Sequence, residues 1–268
     1  MLTIQKLLDE IIQDFGGPIS ETVDTVKAGD ASQPLLGVTT TFMATVPVIR
    51  KAVELGANLI LTHEPTYFNH RDDREFLEKD DVFQAKSRLI EESGVVVARL
   101  HDYPHGMARA ERDPSQDPFM VGLVEEMGWE QNSEPSYPYR CTIEPKSLSD
   151  LAQEFKEKLA LANVRVAGDL DLVCSRVLLL LGASGINVHA NALQHFSADV
   201  VVTGECPEWE TFSYMADAKA LGISRALIAI GHQPSEEPGM RRLTAWLRER
   251  FPEISVTHIP AEHTVRTL

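Results

Sequence analysis

The chain has 268 residues, 43% of them hydrophobic and 24% charged, which suits one large α/β domain or two closely packed smaller ones and excludes a disordered or fibrous protein. Against 25 Lys and Arg stand 40 Asp and Glu, a net charge of −15 that no basic block interrupts. Non-specific binding to nucleic acid or to an anionic membrane needs a basic face and is therefore disfavoured. Three cysteines, Cys141, Cys174 and Cys206, lie far apart without a CxxC, so neither a disulfide framework nor a zinc knuckle is indicated, and a reducing cytoplasm is the expected compartment.

At the start of the chain Ile4, Leu7, Leu8, Ile11, Ile12 and Phe15 fall at helical spacing among acids, which predicts an amphipathic helix rather than a targeting segment. The longest apolar stretch, Val177 to Leu181, is far short of a membrane span. From Leu35 the pattern predicts a strand (LLGVTTTF), a helix (about Val48 to Leu55), and a strand (Asn58 to Thr62) that ends in His63-Glu64-Pro65. A helix ending at Gly94 and the strand Val95 to Leu100 follow, stopping at His101-Asp102.

Beyond a helix at Phe119 to Met127, the Pro/Ser-containing stretch 131–138 interrupts the periodicity and marks a subdomain boundary within a single unit spanning 1–268. A strand at Tyr139 to Ile143 precedes a helix opened by Ser147-x-x-Asp150, a capping-box-like start with Asp in place of Glu, and then the strand NVRVAG. The last third alternates most regularly. Strands at Val177 to Leu181, Asp199 to Val202, Arg225 to Ile230 and Ile254 to His258 are separated by helices at Ile186 to Phe196, Pro207 to Leu221 and about Gly239 to Phe251. Such alternation predicts mostly parallel sheets flanked by helices.

Ligands of open parallel sheets bind beyond the carboxyl ends of the strands. Four predicted strand ends carry histidine or carboxylate: His63 and Glu64; His101, Asp102 and His105; Glu205; His232 and Glu236. Imidazole with carboxylate is the ligand chemistry of zinc, manganese, iron or nickel. Taken singly, each stretch reads equally well as a polar turn, with Pro65 stopping one strand and Asp102 stabilising a loop; their joint occurrence points to a metal site. A helix starting at His232 puts His232 and Glu236 on one face, whereas a start at Ser235 as N-cap puts Glu236 in the first turn.

The loop Gly182-Ala183-Ser184-Gly185 lacks a full phosphate-binding pattern and reads first as a tight turn, although its backbone N–H groups would suit an anionic part of a substrate. Ser184 has no nucleophile-elbow motif, Cys206 reads as a half-buried helix start, and Trp209 and Trp246 read as core or subunit contacts. His189, His195, His258 and His263 show no partner pattern and read as structural.

Four stretches resemble the Nif-three-like dinuclear-metal proteins, also labelled GTP cyclohydrolase 1 type 2 homologues: GANLILTHEPTYF, RLHDYPH, LGASGINVHANALQHFSADVVVTGE and GHQPSEEPGMRRLTAWLRERFPEISVTHI. The resemblance implies two interlocked α/β subdomains, a toroidal homohexamer, and two divalent ions per chain. It implies ligands from two adjacent histidines, an aspartate four residues beyond a histidine, and a late His/Glu pair. Those positions are His63, Glu64, His105, His232 and Glu236 here, so Glu64 replaces a histidine and His105 replaces the aspartate, and the inventory of three histidines and two carboxylates is retained. His101 and Asp102 are further candidates, as ligands or as partners that orient an imidazole.

The function implied is that of a metal-dependent hydrolase of a small polar substrate, using metal-activated water with Glu64 or Glu205 handling the proton. The alternatives are a non-catalytic oligomeric metal-binding or regulatory scaffold and, more remotely, a metal-free binder of small molecules. GTP ring opening comes only with the label, since no residue pattern identifies a purine pocket.

Overall fold

The computed structural model describes residues 1–106, 113–262 and 265. The chain forms two compact units, one from Met1–Asp113 and Met240–Glu262, the other from Pro114–Gly239. Elements are numbered in chain order. The stretch 131–138, singled out by its composition, lies inside the second unit, where it carries a short hairpin. His263 lies outside the described residues.

In the first unit, helix α1 (Ile4–Asp14) buries Ile4, Leu7, Leu8 and Ile11, and Thr3 caps it by accepting from Lys6 N. Strands β1 (Val26–Ala28), β2 (Val38–Thr41), β3 (Leu59–Thr62), β4 (Val96–Arg99) and β11 (Val256–His258) form a sheet in the order β1-β4-β3-β2-β11. All its pairings are parallel except β1 with β4. Every residue of β2, β3 and β4 is buried, the pattern of strands covered on both faces. Helices α2 (Val46–Glu54) and α3 (Asp81–Ser93) cover one face, where Val48, Ile49, Ala52 and Ile90 meet Ile60 and Val97.

Three consecutive buried threonines in β2 would be costly if their hydroxyls found no partner. Thr39 donates to Leu59 O, Thr41 donates to Met43 O, and Thr40 meets Thr244 Oγ1 at 2.6 Å and His258 Nδ1 at 3.2 Å. His258 thus has the structural place expected of it, as does exposed His195, whose ring meets Asn191 O.

The second unit's sheet runs β5-β6-β8-β9-β10-β7. Its strands are β5 (Ser133–Glu134), β6 (Tyr137–Ser147), β7 (Arg165–Ala167), β8 (Val173–Ala183), β9 (Val200–Glu205) and β10 (Ala226–Ala229). Only β8, β9 and β10 are mutually parallel, while β5, β6 and β7 join antiparallel, so this sheet is mixed. Alternation sorts its side chains between two helical layers. Val177, Leu179, Val200, Val202, Ala226 and Ile228 pack with α4 (Pro118–Met127) and α5 (Leu148–Lys158). Leu178, Val201 and Leu227 pack with α6 (Ile186–Phe196) and α7 (Ser213–Ala220).

Ser147 caps α5 as its spacing predicts, accepting from Asp150 N, while its hydroxyl donates to the Asp150 carboxylate. Two helices differ from expectation. The stretch predicted as one helix from Pro207 opens as a π-turn, Glu208–Phe212, before α7. Helix α8 (His232–Arg250) begins seven residues before Gly239 and runs through Pro238. The Pro-Gly pair reads as a breaker, yet a Cβ on Gly239 would stand 2.4 Å from Phe119 Cα, so glycine here permits close packing against α4.

Candidate metal centre

In the first unit, β3 and β4 are adjacent and parallel, so their carboxyl ends deliver His63 and the loop of His101 and His105 to one place. Each of the three rings offers a nitrogen within 4.8 Å of the others. The His63 and His101 rings stack at 4.7 Å between centroids, and His105 stands 5.2 Å from His63 and 4.9 Å from His101. His63 is fully buried, with Nδ1 3.3 Å from Leu100 O. Donation to that carbonyl fixes the tautomer that has its lone pair on Nε2.

Asp102 turns both oxygens inward. Oδ1 meets His101 Nδ1 at 2.9 Å, and Oδ2 accepts from Thr22 Oγ1 and Val23 N. The hydrogen bond with His101, helped by those from Val23 and Thr22, holds the Asp102 carboxyl far below the usual carboxylate range. Asp24, beside it, accepts from His101 N at 2.7 Å and Tyr103 N at 2.9 Å; burial raises its pKa and these backbone donors oppose the rise. Together the two aspartates set the backbone and the ring of His101.

Arg99, at the end of β4, is buried. Its Nε donates to His63 O at 2.9 Å, its Nη1 to His70 O, and its Nη2 meets Glu64 Oε2 at 3.3 Å. Glu64 Oε1 lies 3.9 Å from His101 Nε2. Glu64 therefore stands between a guanidinium and the imidazoles. His70, whose ring is 5.9 Å from that of His101, joins the margin of this cluster, with its pKa lowered by burial first and by Arg99 next. Asp24 and His70 carry no motif in the sequence, and Arg99 opens RLHDYPH without a role being assigned to it. The one available signal is that Arg99 is a cation at the end of an otherwise apolar strand.

In the second unit, α8 starts at His232, which settles the alternative left open by the sequence: His232 and Glu236 share one face, Nε2 to Oε2 3.1 Å. His232 Nδ1 stands 3.1 Å from Glu205 Oε1 at the end of β9. With Nδ1–H donated to Glu205, the Nε2–Oε2 pair brings two lone pairs together and requires a shared cation, a proton or a metal ion. Gly182 (φ +66°) makes this approach possible, because a Cβ there would lie 2.5 Å from Glu236 Oε1 and 3.3 Å from His232 Nε2.

The Gly182–Gly185 loop differs from the expected anion cradle. Ile186 N, at the first turn of α6, donates to Glu210 Oε2 at 3.0 Å, and a Cβ on Gly185 would collide with that oxygen. The protein's own carboxylate occupies the positive end of the helix. All three cysteines are buried thiols, and burial pushes Cys141 and Cys174 up to about 12. Trp209, expected to be core or a subunit contact, is 78% exposed, whereas Trp246 packs on Phe15 at 5.0 Å.

Two α/β units, each with histidines and carboxylates gathered at the carboxyl ends of its strands, define an α/β protein with candidate metal-ligand groups. The model of the Duf34/NIF3 (NGG1p interacting factor 3) family matches residues 116–264, more than half of the chain. The chain belongs to that family. It is 24% identical over 255 residues to a Clostridium perfringens protein named GTP cyclohydrolase 1 type 2 homolog, covering 90% of each. Among solved structures it resembles a hypothetical protein of Staphylococcus aureus (TM-score 0.75, 20% identity, 99% of each chain). A Bacillus cereus protein related to NIF3 is similar too (TM-score 0.73, 15% identity, 100% of this chain and 99% of that one). Among the described residues no helix is long and apolar enough to cross a membrane.

Proposed function

We propose that this chain binds about two divalent ions and acts as a metal-dependent hydrolase of a small polar substrate, with His63, Glu64, His101 and His105 of the first unit and His232 and Glu236 of the second as ligands. The observation that carries the reading is the gathering of three imidazoles, His63, His101 and His105, two of which have a nitrogen fixed by a protein partner, Leu100 O or Asp102. Bound ions would supply Lewis-acid polarisation of a carbonyl or phosphoryl oxygen and a lowered pKa for water. Around them the chain's own groups orient and hold protons: Asp102 aligns His101, Glu205 aligns His232, and Arg99 offsets the charge of Glu64. Family resemblance extends the proposal to a homohexamer, the three scattered cysteines to a cytoplasmic setting, and the net charge of −15 to a small-molecule substrate rather than a nucleic-acid or membrane partner.

Metal content per chain, measured by plasma mass spectrometry on untagged protein purified without chelator, tests the proposal. About two ions per chain, falling in His105→Ala and in His232→Ala, is the expected result; no ion after dialysis against Mn, Zn, Fe and Ni overturns it. The scaffold reading has one observation of its own: Glu64 is paired with buried Arg99 at 3.3 Å, an engagement that suits a structural carboxylate. Metal-loaded protein that turns over no phosphate or carboxylic ester and no amide above the blank would favour the scaffold.

A further inference from the structure

The second unit holds a cluster that the metal proposal does not use. Ser184, half-buried in the loop between β8 and α6, has its Oγ 2.7 Å from Nε2 of fully buried His189. The other ring nitrogen, Nδ1, lies 2.7 Å from Oγ1 of Thr211, which is itself fully buried. A serine hydroxyl in line with an imidazole that is held from behind is the arrangement of an activated nucleophile. Ser184 and His189 are five positions apart, one turn of α6 beyond the loop, so the pair is assembled by the strand-to-helix corner rather than by an elbow motif.

We propose that Ser184 and His189 form a metal-independent acyl-transfer centre for small neutral or cationic carboxylic esters, with Thr211 as the residue that positions His189. With the Thr211 hydroxyl accepting from His189 Nδ1–H, His189 Nε2 is left as the base facing Ser184 Oγ. In the first step Ser184 Oγ bonds to the ester carbon while its proton passes to His189 Nε2; the C–O bond to the alcohol breaks and the alcohol leaves with that proton. In the second step water attacks the acyl carbon, gives its proton to His189, and the acid leaves as Ser184 Oγ regains a proton. Burial lowers the His189 pKa to about 4, which keeps the imidazole neutral near neutrality. The Glu210 carboxylate, which accepts from Ile186 N at the first turn of α6, gives this end of the loop negative charge, so anionic esters and phosphates are disfavoured.

The test uses the full chain in excess EDTA, so that it is independent of the metal reading. A fluorophosphonate probe followed by peptide mass mapping is expected to label Ser184, and p-nitrophenyl acetate to be hydrolysed through it. Ser184→Ala should abolish both and His189→Gln should slow both by about a hundredfold. Thr211→Val should slow the reaction, with Thr211→Ser restoring it, an outcome that packing alone would not give. Labelling of Ser184 no greater than that of the denatured chain, or ester hydrolysis unchanged in Ser184→Ala, overturns the proposal. Should His189→Gln fail to fold, Ser184→Cys provides the check: a thiol alkylated by iodoacetamide no faster than free cysteine also overturns it.

Discussion

Asp102 Oδ1 lies 2.9 Å from His101 Nδ1, while its Oδ2 is fixed by Thr22 and by the backbone of Val23. The carboxylate that follows His101 in sequence is thus spent on aiming the ring, and His101 Nε2 is the nitrogen left to face the other imidazoles. A carboxylate behind a ligand histidine raises its basicity and restricts its rotation. Asp102→Asn is expected to weaken metal binding about 10–100-fold while the chain still folds, as measured by competition against a chromophoric chelator. Unchanged affinity would mean that His101 is not a ligand.

Arg99 is buried with Glu64 and also ties the carbonyls of His63 and His70. Removing one partner of a buried pair leaves an uncompensated charge, so Arg99→Met is expected to destabilise the chain by about 3 kcal/mol or more. Urea unfolding of the full chain reads this directly. The double variant Arg99→Met with Glu64→Gln should recover part of the loss, because no charge is then stranded.

Gly182 sits at φ +66° directly against Glu236. Gly182→Ala is expected to cost about 1–2 kcal/mol from the left-handed backbone alone. It is also expected to reduce bound metal per chain, because the new methyl takes the place of Glu236 Oε1. Full metal content in this variant would remove Glu236 from the ligand set.

The pKa of His189 is lowered from 6.5 to about 4 by burial, with Glu210 opposing. Between those values the unfolded chain binds more protons than the folded one, so stability rises with pH across the window. This contribution is complete above about pH 6.5 and is lost as pH falls toward 4, amounting to at most about 3 kcal/mol before screening reduces it. His189→Gln should flatten the slope of urea stability against pH between 4 and 6.5, and an unchanged slope would assign acid sensitivity to other groups.

The amino-acid sequence by itself determined the local content of this protein. Apolar positions at helical spacing set α1, continuous apolar runs set β3 and β4, and Ser147 set the start of α5, because each signal acts within one or two turns of chain. The histidines and carboxylates at the strand ends were legible as candidate ligands for the same reason: strand ends are local, and polar residues there are conspicuous. Strand direction in the second sheet was not, since β5, β6 and β7 join antiparallel through pairings that depend on distant backbone hydrogen bonds. Nor was the start of α8, where Pro238 and Gly239 look like a break until the proximity of Phe119 explains the glycine. The roles within the clusters were decided only by tertiary structure. Asp24 reaches His101 across 77 residues, Arg99 reaches Glu64 across 35, and Ser184 meets His189 only because a loop turns into a helix there. Hydrogen bonds and charge pairing act over a few ångströms of space, and separation along the chain carries no record of which side chains folding will bring that close.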